Sequence, residues 1–176
     1  DFIRSHRDTT FFLYYSITLP HAEYEIPEAD LEPYVNREWE QDAKVHAAMV
    51  TRLDREVGRI VDLLRALQID KNTLVFFCSD NGAARRWEGR FDSSGPLRGR
   101  KRDLYEGGLR TPMIAWMPGI VPTGALSDYP WYFADVMPTL ADVAGVTPDA
   151  ETDGISVWPV LRGVDVAPSD RFLYWE

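Results

Sequence analysis

An acid and an amide, Asp80 and Asn81, stand together where the apolar run LVFFC (74–78) ends, and Gly82 follows them. Oxygen donors at the end of a buried strand can face a ligand in a crevice, with the glycine supplying positive φ or letting the ligand come close. The same residues can instead form an Asx turn that does no more than end the strand. A few residues on, Arg85, Arg86, Arg90, Arg98, Arg100, Lys101 and Arg102 are set against only Glu88 and Asp92, a local balance of +5 in a chain of net charge −9. A cationic segment on an anionic body suits a small anion; without a ligand it reads as a solvated loop. The acidic remainder argues against a general nucleic-acid binder, which needs a basic face. His21, after Leu19-Pro20, reads by itself as a turn histidine.

These groups need elements to position them. FFLYYSIT (11–18) is nearly continuous in apolar and β-branched residues, which predicts a central strand covered on both faces. From about Asp42 to Leu67, Val50, Leu53, Val57, Ile60, Leu64 and Leu67 recur at steps of three and four, the pattern of an amphipathic helix. In that phase His46 is a packed helix residue, and Asp54 is a surface or capping partner. The turn QIDKN (68–72) leads into TLVFFC (73–78), a second buried strand. Strand, helix and strand in this order predict a right-handed crossover joining parallel strands. A parallel sheet would place His21 and Asp80 at one carboxyl edge, where open α/β sheets bind ligands.

Segment 83–112 has no periodicity, and a loop of that length in a compact domain is usually functional or disordered; Trp87, Phe91 and Tyr105 as anchors favour an ordered, functional loop. MIAWMPG (113–119) predicts a short strand ended by Pro118 and Gly119. WYFADVMPTLADVAG (131–145) predicts a helix ending in glycine, with Pro138 a candidate kink or break. DGISVWPVLRG (153–163) predicts a turn and short helix, and RFLYWE (171–176) a last strand. The 176 residues suffice for one domain with its own core. No apolar run is long enough to span a bilayer, and Cys78, the only cysteine, excludes an internal disulfide.

Taken in order, PHAEYEIPE, AAMVTRLDREVGRIVDLL, FFCSDNG, GPLRGRKRDLYEGGLRTPMIAWMPG, DVMPTLADVAG and DGISVWPVL resemble successive segments of the type I sulfatases of the alkaline phosphatase superfamily. The resemblance implies an α/β fold with a mostly parallel sheet flanked by helices. It further implies that residues 1–176 are a single partial domain lacking the N-terminal nucleophile segment. By the same resemblance Asp80 and Asn81 are calcium ligands, and calcium is a hard cation that takes such oxygens. Lys101, in the position of the lysine of the LRGxK match, would contact a sulfate oxygen. His21 would meet the scissile or leaving oxygen and supply a proton to the departing alcohol, work for which imidazole is poised near neutral pH. Tyr105, Glu106, Gly107 and Gly108 would form the turn that delivers Lys101, with Arg110 pairing a nearby acid.

The departures are equally specific. The CxPSR-type motif whose cysteine becomes the formylglycine nucleophile is absent, and Cys78 has no Pro and Arg after it. Two aspartates that complete the calcium site in the family are absent as well, so the remaining N-terminal part of the same protein is an expected partner, and the isolated segment is expected to be inactive. Ala83 and Ala84 stand where close relatives often carry Pro-His. The expected function is sulfuric ester hydrolysis of a sulfated small molecule or carbohydrate, in an exported setting. The alternatives are a phosphate or phosphonate ester hydrolase of the same superfamily, and a non-catalytic anion-binding module.

Overall fold

The computed structural model describes every residue except Ala22, Glu88, Pro148, Asp149, Ala150, Pro168, Ser169 and Glu176. Residues 1–73 and 74–176 form two compact units.

The first unit is organised by one long helix. It contains α1 (Phe2–Ser5), α2 (Glu28–Leu31) and α3 (Gln41–Ala66), the last matching the expected helix within a residue at each end. Past α3, Gln68 takes a left-handed conformation (φ 59°), and the Ile69 N–H returns to the Leu64 carbonyl at 3.1 Å, which uses one of the orphan acceptors at the helix end. The buried stripe is Ala43, Val45, Ala48, Met49 and Leu64, whereas Val50, expected to be buried, is 45% exposed. Small residues near the N-terminus of α3, rather than the aliphatic positions in the middle, therefore bear the closest packing. Asp30 of α2 accepts from Arg52 and Arg55 of α3 at 2.5 and 2.6 Å, and those two hydrogen bonds hold its carboxyl below the usual carboxylate range.

Residues 11–18 carry no strand ladder among the described residues, against expectation, and Phe12, Tyr14 and Tyr15 are exposed. Apolar and β-branched side chains suit a pleated surface, but a strand exists only where a neighbour takes up its N–H and C=O groups.

In the second unit, β1 (Val75–Cys78) pairs antiparallel with β2 (Met113–Trp116), Val75 opposite Trp116 and Cys78 opposite Met113. The expected crossover from residues 11–18 is not seen among the described residues, whose two-stranded sheet is antiparallel. The chain leaves β1 and re-enters β2 at the same end of the pair, which requires antiparallel strands however long the connection. β1 is also half-buried rather than covered on both faces. Within the connection lies α4 (Glu106–Leu109), and Trp87, 2% exposed, packs against Phe91 with ring centroids 5.6 Å apart. The expected aromatic anchoring of the loop is present at Trp87 and Phe91, whereas Tyr105 is exposed.

A 3-10 turn at Phe133–Asp135 runs into α5 (Val136–Ala144), capped by Gly145 in the left-handed region, as expected. Pro138 neither kinks nor breaks the helix. It sits in the first turn, where its missing N–H has no intrahelical partner to lose. Helix α6 (Trp158–Leu161) fulfils the short-helix expectation, and the Val157 N–H donates to Thr139 Oγ1 at 2.9 Å. Residues 171–175 form no strand, and Glu176 lies outside the described residues. Arg171 instead grips Asp135, a wholly buried carboxylate that also accepts from the N–H groups of Tyr132 and Ile155 at 3.0 and 2.8 Å.

Candidate active site

The connection from β1 to β2 is knotted by backbone. The Gly82 N–H donates to the Gly108 carbonyl at 3.0 Å, the Lys101 N–H to the Ala83 carbonyl at 2.8 Å, and the Gly107 N–H to the Arg98 carbonyl at 2.8 Å. These bonds draw Lys101 to the end of β1 beside Asp80 and Asn81, although twenty residues separate Lys101 from Asn81 in the sequence. The approach is possible because side chains are missing. A Cβ on Gly82 would overlap the Gly107 carbonyl, one on Gly107 the Gly99 carbonyl, and one on Gly108 the Asp103 carbonyl. Gly82 thus serves close approach of the protein's own backbone and is not in a positive-φ conformation. Residues Glu106–Leu109 form α4 rather than a turn, the Lys101 N–H goes to Ala83 and not to this segment, and Arg110 lies 3.6 Å from Glu106, the expected pairing with a nearby acid.

The Asx-turn alternative fails on the hydrogen bonds. The turn after β1 is bridged by Ser79, whose Oγ donates to the Asn81 carbonyl at 3.2 Å. The Asn81 side-chain oxygen is buried and accepts no hydrogen bond among the described residues, which is costly unless something else meets it. Asp80, next to it, is exposed. An orphaned amide oxygen beside a carboxylate fits a hard cation. Among the described residues no group of three or more His, Cys, Asp or Glu could hold a metal, so this pair would form only part of a coordination shell.

Cys78 ends β1 one turn from Asp80 and is exposed, not buried as the strand reading implied. Partial burial of the thiol and the nearby Asp80 carboxylate push its pKa up, which keeps it a thiol and a poor nucleophile.

His21 belongs to the first unit. It is exposed, and its N–H donates to the Thr18 carbonyl at 2.8 Å, so it stands on a tight turn. The turn has a support that helical phase alone did not reveal: the ring of His46 in α3 hydrogen-bonds the Pro20 carbonyl and meets the Tyr24 ring edge-on at 5.9 Å. Burial holds the His46 pKa below the ordinary histidine value, with the bond to Pro20 acting in the opposite direction. The packed-residue reading of His46 holds, with a positioning role added. No sequence pattern announces it, because the bond goes to backbone.

A family model described as Sulfatase matches residues 1–146. The chain is 35% identical over 179 residues to N-acetylgalactosamine-6-sulfatase of Canis lupus familiaris, covering 99% of this chain and 33% of that protein. It is 35% identical to a sulfatase of Formosa agariphila, covering 98% of this chain and 34% of the other. The chain thus spans about a third of the length of the curated relatives it matches. Among solved structures, Ps i-CgsB in complex with k-i-k-neocarrahexaose superposes with a TM-score of 0.67 at 33% identity, over 81% of this chain and 31% of that one. A sulfatase from a Bacteroides thetaiotaomicron locus for glycosaminoglycan metabolism gives a TM-score of 0.77 at 24% identity over 96% of this chain and 36% of its own, a likeness of fold.

Proposed function

From the premise that the chain belongs to the sulfatase family, we propose that the whole protein hydrolyses sulfate esters and that this segment supplies the cation and leaving-group side of the site. The observation that carries the reading is the buried, unsatisfied Asn81 oxygen beside Asp80, with Lys101 tied to the same turn through Ala83.

Asp80 and Asn81 would hold a calcium ion, which when bound supplies positive charge against the sulfate oxygens. Lys101 contributes a second, fixed positive charge, suited to an ester whose negative charge grows on the leaving oxygen as the bond to sulfur breaks. By the family resemblance, His21 would supply the proton with which a neutral alcohol departs. The nucleophile, a formylglycine in this family by the resemblance above, would come from residues outside this chain. The substrate class is a sulfated carbohydrate: the relatives include enzymes named for N-acetylgalactosamine 6-sulfate, and one structural neighbour was solved with D-glucosamine-2-N,6-O-disulfate.

The test is made in the full-length protein. Lys101→Ala should lower kcat by about 10²–10³, the scale seen when one group stabilising transition-state charge is removed. Arg86→Ala, whose guanidinium lies over the Trp87 ring 5.4 Å from its centroid, should change it little. Calorimetric titration should show calcium binding lost in Asp80→Ala. Equal losses for Lys101→Ala and Arg86→Ala would favour a diffuse anion-binding surface, and calcium binding untouched by Asp80→Ala would remove the cation site.

A further inference from the structure

The hydrogen bond between Lys101 and Ala83 does more than deliver a lysine. It closes one side of a hollow of about 230 Å³ whose walls start at Ala83, two residues past Asn81, and finish at Arg100, one before Lys101. Between them the wall is the segment Asp92–Gly99, including Ser93, Ser94 and Leu97. We infer that this hollow is the subsite for the neutral, hydroxyl-bearing ring attached to the ester oxygen, which makes Asp92 and Ser94 specificity-determining residues; the inference rests on the sulfatase reading above.

Position is the first argument. An anion held at Asn81 and Lys101 has its organic remainder beside the residues that flank both, and those residues are the walls of the hollow. Size is the second: about 230 Å³ is below the ~300–1,000 Å³ of sites for drug-sized ligands, which suits one ring rather than a chain of them. Chemistry is the third. The side chains of Asp92, Ser93 and Ser94 have no hydrogen bond or ion pair among the described residues, so a carboxylate and two hydroxyls are available to sugar hydroxyls. Leu97, Ala83 and Ala84 supply apolar surface for the C–H face of a ring. The guanidinium of Arg98 is already engaged, lying 3.8 Å from the centre of the Tyr105 ring and donating to its hydroxyl at 2.8 Å. A second acidic group on the sugar would meet the Asp92 carboxylate, which is why the ring is assigned as neutral.

The wall is also preformed. The Gly95 N–H donates to the Asp92 carbonyl at 2.8 Å and the Leu97 N–H to the Ser94 carbonyl at 3.1 Å, fixing two successive turns before any ligand arrives. A preorganised site spends less of its binding energy on ordering loops.

The experiment uses the full-length, calcium-loaded protein with three readouts: kcat/KM for a 6-O-sulfated N-acetylhexosamine, Ki for inorganic sulfate, and NMR titration with unsulfated N-acetylgalactosamine. Filling the hollow with Ser94→Leu should lower kcat/KM at least about tenfold, mainly through KM, while Ki for sulfate stays within about twofold. Asp92→Asn, which keeps shape and removes charge, should cost about threefold on the same substrate. If both variants leave kcat/KM unchanged, or if Ki rises in step with KM, the subsite assignment is wrong. A higher kcat/KM of the wild type on a disulfated or carboxylated sugar than on the neutral one would overturn the assignment of a neutral ring. If the wild type cleaves no sulfate ester, the sulfatase reading fails, and the titration still decides the hollow: shifts at residues 92–100 that vanish in Ser94→Leu support it, and none in the wild type overturns it.

Discussion

Each of the two units of this chain is built internally by different means. In residues 1–73 a single 26-residue helix presents buried Ala43, Ala48 and Met49, and structure follows from side chains repeating along a regular backbone. In residues 74–176 regular elements are short, and the joints are places where backbone meets backbone or a buried charge: the glycine knot around Gly82, Gly107 and Gly108, and the Asp135 hub. The first arrangement tolerates local change, since each position contributes a fraction of the packing. The second concentrates stability in a few contacts, and it is the one that carries Asp80, Asn81 and Lys101.

The largest effect should come from the hub. Asp135 is wholly buried and the side chain of Arg171 is 18% exposed, so removing the guanidinium leaves a carboxylate in the interior without its charge partner. Arg171→Met is expected to destabilise the protein by roughly 3–5 kcal/mol, read from the denaturation midpoint. The pH dependence gives a second check. Burial pushes the Asp135 carboxyl up, but the hydrogen bonds from Arg171, Ile155 and Tyr132 outweigh it and leave the pKa below the ordinary 3.8. The stability from this group is therefore present above about pH 3.8 and is lost as pH falls through the folded-state value. In Arg171→Met the burial effect is less opposed, so the gap between variant and wild type should narrow in acid. A gap of under 1 kcal/mol at pH 7, flat with pH, would show that stability in this unit is spread as evenly as in α3.

The same contrast explains what could be read in advance. Helix α3, the end of α5 at Gly145 and the β2 strand were legible because side-chain period and terminating residues state them locally. The pairing of β1 was not. An apolar run such as FFC does not encode its partner, and the close approach of Gly82 to Gly107 and Gly108 leaves no apolar pattern, because its informative feature is an absent side chain. Residues 11–18 failed the other way, with strand-like composition and no ladder. Asp80, Asn81 and Lys101 were singled out from motif order, and the structure adds what joins their segments: the Lys101 N–H bonds the Ala83 carbonyl, which any residue except proline could do, so only its charge needed to be written in sequence. His46 shows the limit, since a bond from a ring to the Pro20 carbonyl leaves no pattern.

The glycine knot gives the next largest effect. Gly82→Ala would place a methyl group on the Gly107 carbonyl, which is backbone and can yield only if the whole turn moves. A loss of about 3 kcal/mol is expected, at the upper end for overpacking. Because the displaced turn carries both Asn81 and Lys101, calcium affinity and catalytic rate should fall together with stability. Retention of calcium affinity in Gly82→Ala would mean that the ligand pair does not depend on the knot.

The smallest effect has the opposite sign, and it uses the same substitution in the other unit. Gly58 lies inside α3, exposed, with nothing within 4 Å of where its Cβ would be. Its backbone is helical, so glycine there gains nothing in the folded state and leaves the unfolded chain with more freedom to lose. Gly58→Ala should therefore stabilise the protein by about 0.5–1 kcal/mol, with calcium affinity and activity unchanged. One methyl group thus separates the two modes of construction, adding stability where side chains make the structure and removing it where their absence does. The check is a pair of denaturation curves for Gly58→Ala and Gly82→Ala under identical conditions: shifts of the same sign would mean that the helix face at Gly58 is covered in the whole protein, and that the contrast between the units belongs to this segment alone.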